Sequence, residues 1–390
     1  MKSLKINSLI LATIAIYIAT FKAEGLADDV KNSIQIIMLS IVLVYFVCFR
    51  KKFQFNNVSI ILIFPIILSS VIAYFNKIIS ALNLINCMFY MICLMFFYQI
   101  IYIWIKSNKY FEMISILQIT TFFYCILSII SVLKIGTDKS ATTIYLFGGK
   151  FTTCYYFLFF LGLTFAKYQN KIKKYMVWQL KFFCLCIITV SIELYMKCIT
   201  AVLITILLSI LSMMTEKIKK ILTQKKALLL GVFASGLILF VISSILSNKI
   251  VQNIIVHYLG KSVTLTDRTP IYSTYLFPLI LKRPIWGYGF SSSILHLTTP
   301  YWNAQNGLFE IMLNYGCFGC LSFLLIIWLS AGNENKNTFG WPYYIVIYAL
   351  VLAGTIEISF SFIFYITIFI LYQTKNIKNC DRNKGNYINE

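Results

Sequence analysis

Long apolar runs, separated by short polar or charged segments, dominate the 390 residues of this chain. A helix needs about 20 consecutive apolar residues to cross the hydrocarbon core of a bilayer, so these runs predict membrane-spanning helices. The pattern predicts an all-α polytopic membrane protein with nine spans before residue 247 and a tenth at residues 308–330. The nine runs lie near residues 6–21, 34–49, 58–75, 84–105, 113–133, 151–166, 177–195, 198–214 and 227–246.

The last apolar stretch, residues 342–372, contains Glu357 as its one charged residue. Its 31 residues are too many for one upright helix and few for two. The distribution of charge decides between one helix and two helices, because Lys and Arg are enriched in cytoplasmic loops. The N-terminus, alternate loops after it and the tail carry most of the lysines, which places both termini in the cytoplasm. An even number of spans follows, so we predict about 12 transmembrane helices, the last two joined by a turn near Glu357–Ser361.

One connection is much longer than the others and falls on the extracytoplasmic side in this topology. Within it, the apolar run between Pro270 and Lys282 is about a dozen residues long. That is too short to span a bilayer and is typical of a re-entrant or interfacial helix. The predicted organisation is helices 1–9 in residues 1–246, the large loop in 247–306, helices 10–12 in 307–373 and a cytoplasmic tail in 374–390.

Composition agrees with a membrane bundle and excludes an ordinary soluble enzyme. The chain is 59% hydrophobic and 12% charged, whereas soluble domains carry about 25% charged residues. Little chain is left for a tethered soluble domain. The net charge of +21 would suggest nucleic acid in a soluble protein, but cytoplasmic lysines account for it in a polytopic one. We therefore predict anionic membrane lipid as a partner, and no nucleic acid.

Cysteines and known motifs point to neither a metal nor a cofactor. Most of the 11 cysteines lie in apolar runs, where a free cysteine packs as a small hydrophobe. Cys317 and Cys320 form a CxxC pair with no second pair and no nearby His, which disfavours a zinc or redox site. The motifs GxxxxGK[ST], HExxH and GxSxG are absent, so ATP hydrolysis, zinc proteolysis and serine hydrolysis lack support.

Rare residues concentrate in the long loop. The chain has 30 lysines and four arginines, and two of the arginines, Arg268 and Arg283, lie in the loop. Such a bias suggests a need for the planar guanidinium, which binds phosphate with two hydrogen bonds; the alternative is an arginine reaching to lipid headgroups. Both histidines, His257 and His296, lie there too. Asp267, beside Arg268, could orient that arginine or act as a base.

Acidic residues inside spans are costly to bury and are candidates for function. Glu193, Glu310 and Glu357 fall at span ends that the topology places on the extracytoplasmic side. Lys150 and Lys197 are predicted at the same level, so a structural charge pair is the alternative for Glu193. The predicted face thus combines carboxylates with the arginines of the loop. Together they suit a lipid-linked, phosphate-bearing substrate.

Aromatic residues also cluster in the loop, among them Trp286 and Tyr288. Tryptophan and tyrosine are enriched at the membrane–water interface, which is one explanation for the cluster. The other is that these rings stack against sugars. The sequence leaves both open.

Three segments of this region carry a family likeness: DRTPIY at 267–272, LILKRPIWGYGF at 279–290 and NAQNGLFEIMLNYGCFG at 303–319. Together they resemble the bacterial O-antigen and capsular polysaccharide polymerases and the related O-antigen ligases. The P-x-x-G-x-G turn of that family stands intact, with Gly287 and Gly289. The family's His before Asn is replaced by Gln305, ahead of Asn306, which places any role for an imidazole at that point in question.

The resemblance implies a metal-independent, inverting glycosyltransferase of the GT-C type in the bacterial cytoplasmic membrane. It would transfer glycan from undecaprenyl-diphosphate-linked repeat units to an acceptor repeat unit at the outer face, beside a flippase and a chain-length regulator. Arg268 and Arg283 would stabilise the leaving diphosphate, with Glu310, Asp267 or His296 as the base. Substrate-binding residues would be Lys150, Gly287, Gly289, Gln305, Asn306, Trp286, Tyr288 and Glu357.

Two other functions fit parts of the pattern. A ligase would carry out the same chemistry but transfer finished polymer to a lipid core sugar; the Lys- and Asn-rich composition and the missing His disfavour it. A flippase for lipid-linked oligosaccharide would also have about 12 spans. It should show charges along a central cavity and an internal repeat, whereas the rare charges here are predicted in one external loop.

Overall fold

The computed structural model describes residues 2–48, 57–137, 143–246, 271–292, 294–298, 303–332, 338–375 and 377. In this part of the chain the predicted all-α class is confirmed, with one two-stranded hairpin added. The helices are α1 Lys2–Thr20, α2 Asp28–Cys48, α3 Asn57–Phe75, α4 Ala81–Lys106, α5 Tyr110–Ile135, α6 Lys150–Lys174, α7 Met176–Tyr195, α8 Ile199–Ser212, α9 Glu216–Leu222, α10 Lys225–Leu246, α11 Phe277–Lys282, α12 Ile294–Thr298, α13 Gly307–Ser330, α14 Trp341–Ala353 and α15 Phe362–Thr374. The hairpin strands are β1 Ile144–Tyr145 and β2 Gly148–Gly149; a π-helical turn, Ile271–Leu276, precedes α11, and a 3₁₀ turn, Thr338–Gly340, precedes α14.

Six of the described helices are long and apolar enough to cross a membrane: α2, α3, α4, α5, α7 and α13. Four apolar helices are shorter: Ile6–Thr20 of α1, and α8, α14 and α15. The peripheral helices α2 and α7 each bury only four residues and expose apolar side chains such as Ile36, Val47 and Ile187. Such an apolar outer surface suits lipid and confirms a multi-pass membrane protein; the count of 12 spans stays a prediction.

The centre of the bundle is formed by α14 and α15. The 31-residue apolar stretch does divide into two helices, with residues 354–361 between them. Each has 13 residues and is therefore about 20 Å long, shorter than a hydrocarbon core of about 30 Å. Both are buried nearly all round, α14 against α6, α8 and α10, and α15 against α4 and α13. Helices that are apolar on every side need this protein-lined position.

One end of the bundle is rich in lysine, and we call it the lysine-rich end. There Glu216 of α9 forms ion pairs with Lys173 at 3.0 Å and with Lys219 at 2.8 Å. The two lysines lower the pKa of Glu216 to about 2. Lys225 lies over the Trp328 ring, 5.0 Å from its centroid. The end of α6 thus contacts α9, and the start of α10 contacts the end of α13.

The opposite end carries the acidic residues of the spans, and we call it the Glu310 end. The loop after α1 pairs with the hairpin through the Gly25 amide, which donates to the Leu146 carbonyl at 3.0 Å. The start of α13 joins the end of α14 in the same way, from the Gly307 amide to the Gly354 carbonyl at 2.9 Å. Backbone hydrogen bonds thus hold the helix ends together around this face.

Candidate functional site

Helix α13 is interrupted at Gly316, whose backbone angles (φ 64°, ψ −165°) are not helical. The interruption removes hydrogen bonds of the helix, and segment 284–289 supplies replacements. The four bonds run from amide to carbonyl as Cys317 to Pro284 (2.7 Å), Phe318 to Ile285 (3.2 Å), Tyr288 to Leu313 (3.0 Å) and Gly289 to Asn314 (2.7 Å). Inside a membrane protein, backbone groups must be paired within the protein. The segment is therefore part of the hydrogen bonding of the broken helix.

Glycine is required at two positions of the docked segment. A Cβ atom on Gly287 would lie 2.6 Å from the Asn314 carbonyl, and one on Gly289 would lie 2.6 Å from the Ala73 Cβ. Both residues also have positive φ, at 67° and 85°, which L side chains rarely adopt. The P-x-x-G-x-G turn, predicted to bind substrate, thus has a packing role in this structure: Gly287 lets the loop dock on α13, and Gly289 lets it pack against α3.

Two serines of α3 fix the docked loop from the other side. The Ser69 hydroxyl contacts the Trp286 carbonyl and lies 3.0 Å from the Asn314 carbonyl. The Ser70 hydroxyl accepts the Phe290 amide at 3.1 Å. Sequence reasoning missed both residues, and a pair of serines in an otherwise apolar run was the available signal.

The Glu310 carboxylate is held by two hydrogen bonds in the first turn of α13. One oxygen accepts the Ala304 amide at 2.9 Å, and the other accepts the Asn314 side-chain amide at 2.8 Å. The Asn314 oxygen in turn accepts the Ser292 hydroxyl at 3.0 Å. This chain of bonds fixes the orientation of a half-buried carboxylate.

Glu310 and Asn314 line a cavity of about 230 Å³ at this end of the bundle. A second cavity of about 400 Å³ adjoins it, and we call the two the smaller and larger compartments. The larger one alone falls in the range of ligand pockets, about 300–1,000 Å³. The residues that line both compartments are Tyr90, Phe290, Ser291 and Ser361.

Aromatic rings form the boundary between the compartments. The Tyr90 ring centroid lies 5.2 Å from that of Phe290 and 3.8 Å from that of Phe362. Phe147 and Tyr156 add further rings to the larger compartment. Flat apolar faces beside hydroxyl and carboxyl groups match the two faces of a sugar ring, which is apolar on its C–H side and polar at its hydroxyls.

The larger compartment contains charged and polar residues that sequence reasoning missed. Lys22 and Glu24 come from the loop after α1, and Asn86 from α4. Glu24 is exposed, whereas Lys22 is half-buried. There was little indication of Lys22 and Glu24 in the sequence, because charged residues are common next to the end of a membrane span.

Arg283, Trp286 and Tyr288, which were predicted to act on the substrate, line neither compartment. The Arg283 guanidinium lies 5.7 Å from the centroid of the Tyr288 ring, and the Tyr288 hydroxyl donates to the Leu279 carbonyl at 3.0 Å. Burial raises the pKa of Tyr288, and Arg283 opposes this rise. Trp286 packs edge-on against Phe318 at 5.0 Å. These contacts shape the loop around the compartments.

Gln305 and Asn306 lie directly before the first residue of α13. The side-chain oxygen of Asn306 accepts the Leu308 and Phe309 amides at 3.0 and 3.1 Å, which caps the helix. The Gln305 backbone has a φ of 51°, and its amide donates to the Asn303 side chain at 2.9 Å. Asn306, predicted to bind substrate, is fully buried with its amide oxygen occupied by the cap.

A second charged cluster lies at the Glu310 end, beside α6, α7 and α8. Glu193 is fully buried; one of its oxygens accepts the Thr205 hydroxyl at 2.9 Å, and the other has no hydrogen bond partner. Cys198 interacts electrostatically with Glu193, Lys150 and Glu357. None of these described residues lines the two compartments.

The remaining predicted residues divide into two groups. His296 is exposed on α12 and does not line either compartment. Asp267, Arg268 and His257 lie outside the described residues. Within those residues, no group of three or more His, Cys, Asp or Glu side chains is placed to hold a metal ion.

No family model, no curated protein and no solved structure matches this chain. The likeness to polysaccharide polymerases therefore rests on the loop motifs alone.

The interruption of α13 makes Gly316→Ala a test of the docked loop. The Gly316 backbone lies in a region that glycine alone adopts readily, at a cost of about 1–3 kcal/mol for other residues, and its Cβ would lie 2.3 Å from the Ile285 carbonyl oxygen. We expect a lower melting temperature for the purified protein in detergent. Gly149→Ala is the control, because nothing lies within 4 Å of its Cβ position. Equal melting of both variants would contradict the account.

Asn306→Ala tests the cap and the two further bonds of this side chain. The Asn306 amide also donates to the Ser235 and Thr355 carbonyls at 2.9 and 3.2 Å. Losing a cap and leaving buried groups unpaired should lower the free energy of unfolding by about 2–4 kcal/mol. Asn76→Ala, at an exposed asparagine, should change it by less than about 0.5 kcal/mol. Thermal unfolding followed by tryptophan fluorescence gives both values.

Proposed function

We propose that this chain is a membrane-embedded polysaccharide polymerase that joins lipid-linked glycan repeat units at the Glu310 end of the bundle. The observation that carries the proposal is the pair of adjoining compartments, which are lined by a fixed carboxylate, amides, hydroxyls and aromatic rings. Two adjoining spaces suit a reaction that brings two glycans together. The loop motifs, which resemble those of polysaccharide polymerases, agree with this reading.

In this mechanism Glu310 acts on the acceptor sugar. The hydroxyl of the acceptor attacks the anomeric carbon of the donor and transfers its proton to the Glu310 carboxylate. The bond from that carbon to the diphosphate oxygen breaks, and the lipid diphosphate leaves with the bonding electrons. Direct displacement inverts the anomeric centre. A base held by two hydrogen bonds is oriented in advance, which is what general base catalysis requires.

The leaving diphosphate needs positive charge as it departs. Arg268 stays the predicted residue for this role, and it lies outside the described residues. Arg283 is on the docked loop, where its guanidinium packs on Tyr288. We assign Arg283 to the same role, because it lies on the loop that contributes Phe290 and Ser291 to both compartments.

The distribution of lysines supports an orientation for the bundle. Lysine-rich ends of polytopic proteins face the cytoplasm, so the lysine-rich end and both termini would be cytoplasmic. The compartments would then open at the outer face of a bacterial cytoplasmic membrane, where lipid-linked repeat units arrive from a flippase. Twelve spans, a GT-C architecture and a chain-length regulator as partner belong to the same proposal.

Glu310→Gln tests the proposed chemistry. A Gln side chain keeps the shape of Glu and, with the Asn314 amide turned over, keeps the bonds at this site, but it cannot take a proton. Removing a general base typically costs about 10²–10⁴-fold in rate. We expect polymer formation from purified lipid-linked repeat units to fall at least about 100-fold while the melting temperature stays close to that of the wild type.

Glu112→Gln is the matched control, since Glu112 pairs with Lys109 at 2.9 Å on a helix start away from the compartments. It should polymerise normally.

Cells that lack the protein should accumulate single lipid-linked repeats on the outer face. Accumulation on the inner face would indicate a flippase instead, and normal polymer with unattached lipid core would indicate a ligase.

A further inference from the structure

Lys22 is the lysine among the described residues that line the larger compartment. The Lys22 side chain is half-buried, and its amino group lies 5.9 Å from the centroid of the Phe89 ring. Within the described residues no carboxylate lies within 4 Å of this amino group. Burial lowers the pKa of Lys22, the positive charge of Lys31 lowers it further, and Cys93 and Glu24 oppose this fall. A cation in this position is stabilised by an anion that enters the compartment.

The groups around Lys22 suit a polar ligand. The larger compartment presents the amide of Asn86 and the hydroxyls of Thr152, Ser291 and Ser361. Glu24 is the one carboxylate among its described lining residues, and it is exposed, so water and salt screen its charge. An acyl chain would leave these groups without partners, whereas a phosphate or a charged sugar would pair with them.

The smaller compartment has the opposite charge. It carries Glu310 and Asn314, and none of its described lining residues is a cation. A carboxylate repels a phosphate or another carboxylate at short range. The two compartments therefore differ in the ligands that they accept, although they share the walls formed by Tyr90, Phe290, Ser291 and Ser361.

We propose that Lys22 is the anion-binding residue of the larger compartment and that this compartment takes the anionic part of a sugar-linked substrate, leaving the neutral reacting sugar beside Glu310. The inference rests on the proposed function for the identity of the substrate. Its chemistry is a phosphate or carboxylate joined to sugar. That anion has two sources: the diphosphate of the lipid carrier, or an acidic sugar in the repeat unit.

Binding to the purified full-length protein in detergent separates these sources. One arm measures the Kd of a sugar-free polyprenyl diphosphate against that of the matching polyprenol. The other measures the Kd of a uronic-acid oligosaccharide against that of its neutral counterpart. Lys22→Gln should weaken binding of one anionic probe about 10–100-fold, the worth of a charge-assisted hydrogen bond, and Lys22→Arg should retain it.

Lys77→Gln is the control, because Lys77 follows α3 at the same end of the bundle, is exposed and lies outside both compartments. It should leave both Kd values unchanged. In the wild-type protein the affinity for the same probe should fall as salt is added, a measurement that needs no variant.

Loss of diphosphate binding in Lys22→Gln assigns the lipid carrier, and loss of uronic-acid binding assigns the glycan. Unchanged affinity for both probes, or affinity that salt does not alter, overturns the inference. Binding is measured without polymerisation, so the anion site can stand if no polymer is ever formed. A polymerase whose Lys22→Gln variant binds both probes normally would retain the proposed function and lose this inference alone.

Discussion

The hydrogen bonds between the broken middle of α13 and segment 284–289 are the interaction on which the Glu310 end depends. A helix in a membrane protein can be interrupted only where other protein groups pair the freed amides and carbonyls. Here the loop does so, and the Ser69 hydroxyl contacts the same backbone. Because the loop is held in this way, Phe290 and Ser291 stand in the walls of both compartments.

The same interruption explains how Glu310 can be fixed and still face a cavity. The first turn of α13 ends a few residues before Gly316, and Asn314 reaches back to Glu310 at 2.8 Å. Short central helices complete the arrangement. Because α14 ends at Ala353, residues 354–361 return to the start of α13, where they contribute Phe360 and Ser361 to the cavity walls. A full-length span in place of α14 would occupy this space.

The sequence was sufficient to predict the apolar helices of the bundle, because the bilayer sets the length of apolar runs. It also predicted the division of residues 342–372 near Glu357, which the structure confirms. The lengths of α14 and α15 could not be predicted, since hydropathy does not tell a buried half-length helix from a lipid-facing span. The break at Gly316 was equally hidden, because the backbone that packs against it, at Ile285, lies about thirty residues earlier in the chain.

The candidate site shows why the rarity of a residue type was not sufficient to identify the residues that line the compartments. Glu310 could be found from sequence, because a carboxylate inside an apolar run is costly wherever the helix packs. Lys22 could not, because lysine is the common cation of this chain and its neighbours are distant in sequence: Asn86 on α4, Thr152 on α6 and Ser361 before α15. The energy with which a charged group interacts with a ligand depends on the dielectric constant around it. Lysines at the opposite end are paired with carboxylates, as Lys173 and Lys219 are with Glu216, whereas within the described residues no carboxylate lies within 4 Å of the Lys22 amino group, so the same residue type orients the bundle at one end and can select a ligand at the other.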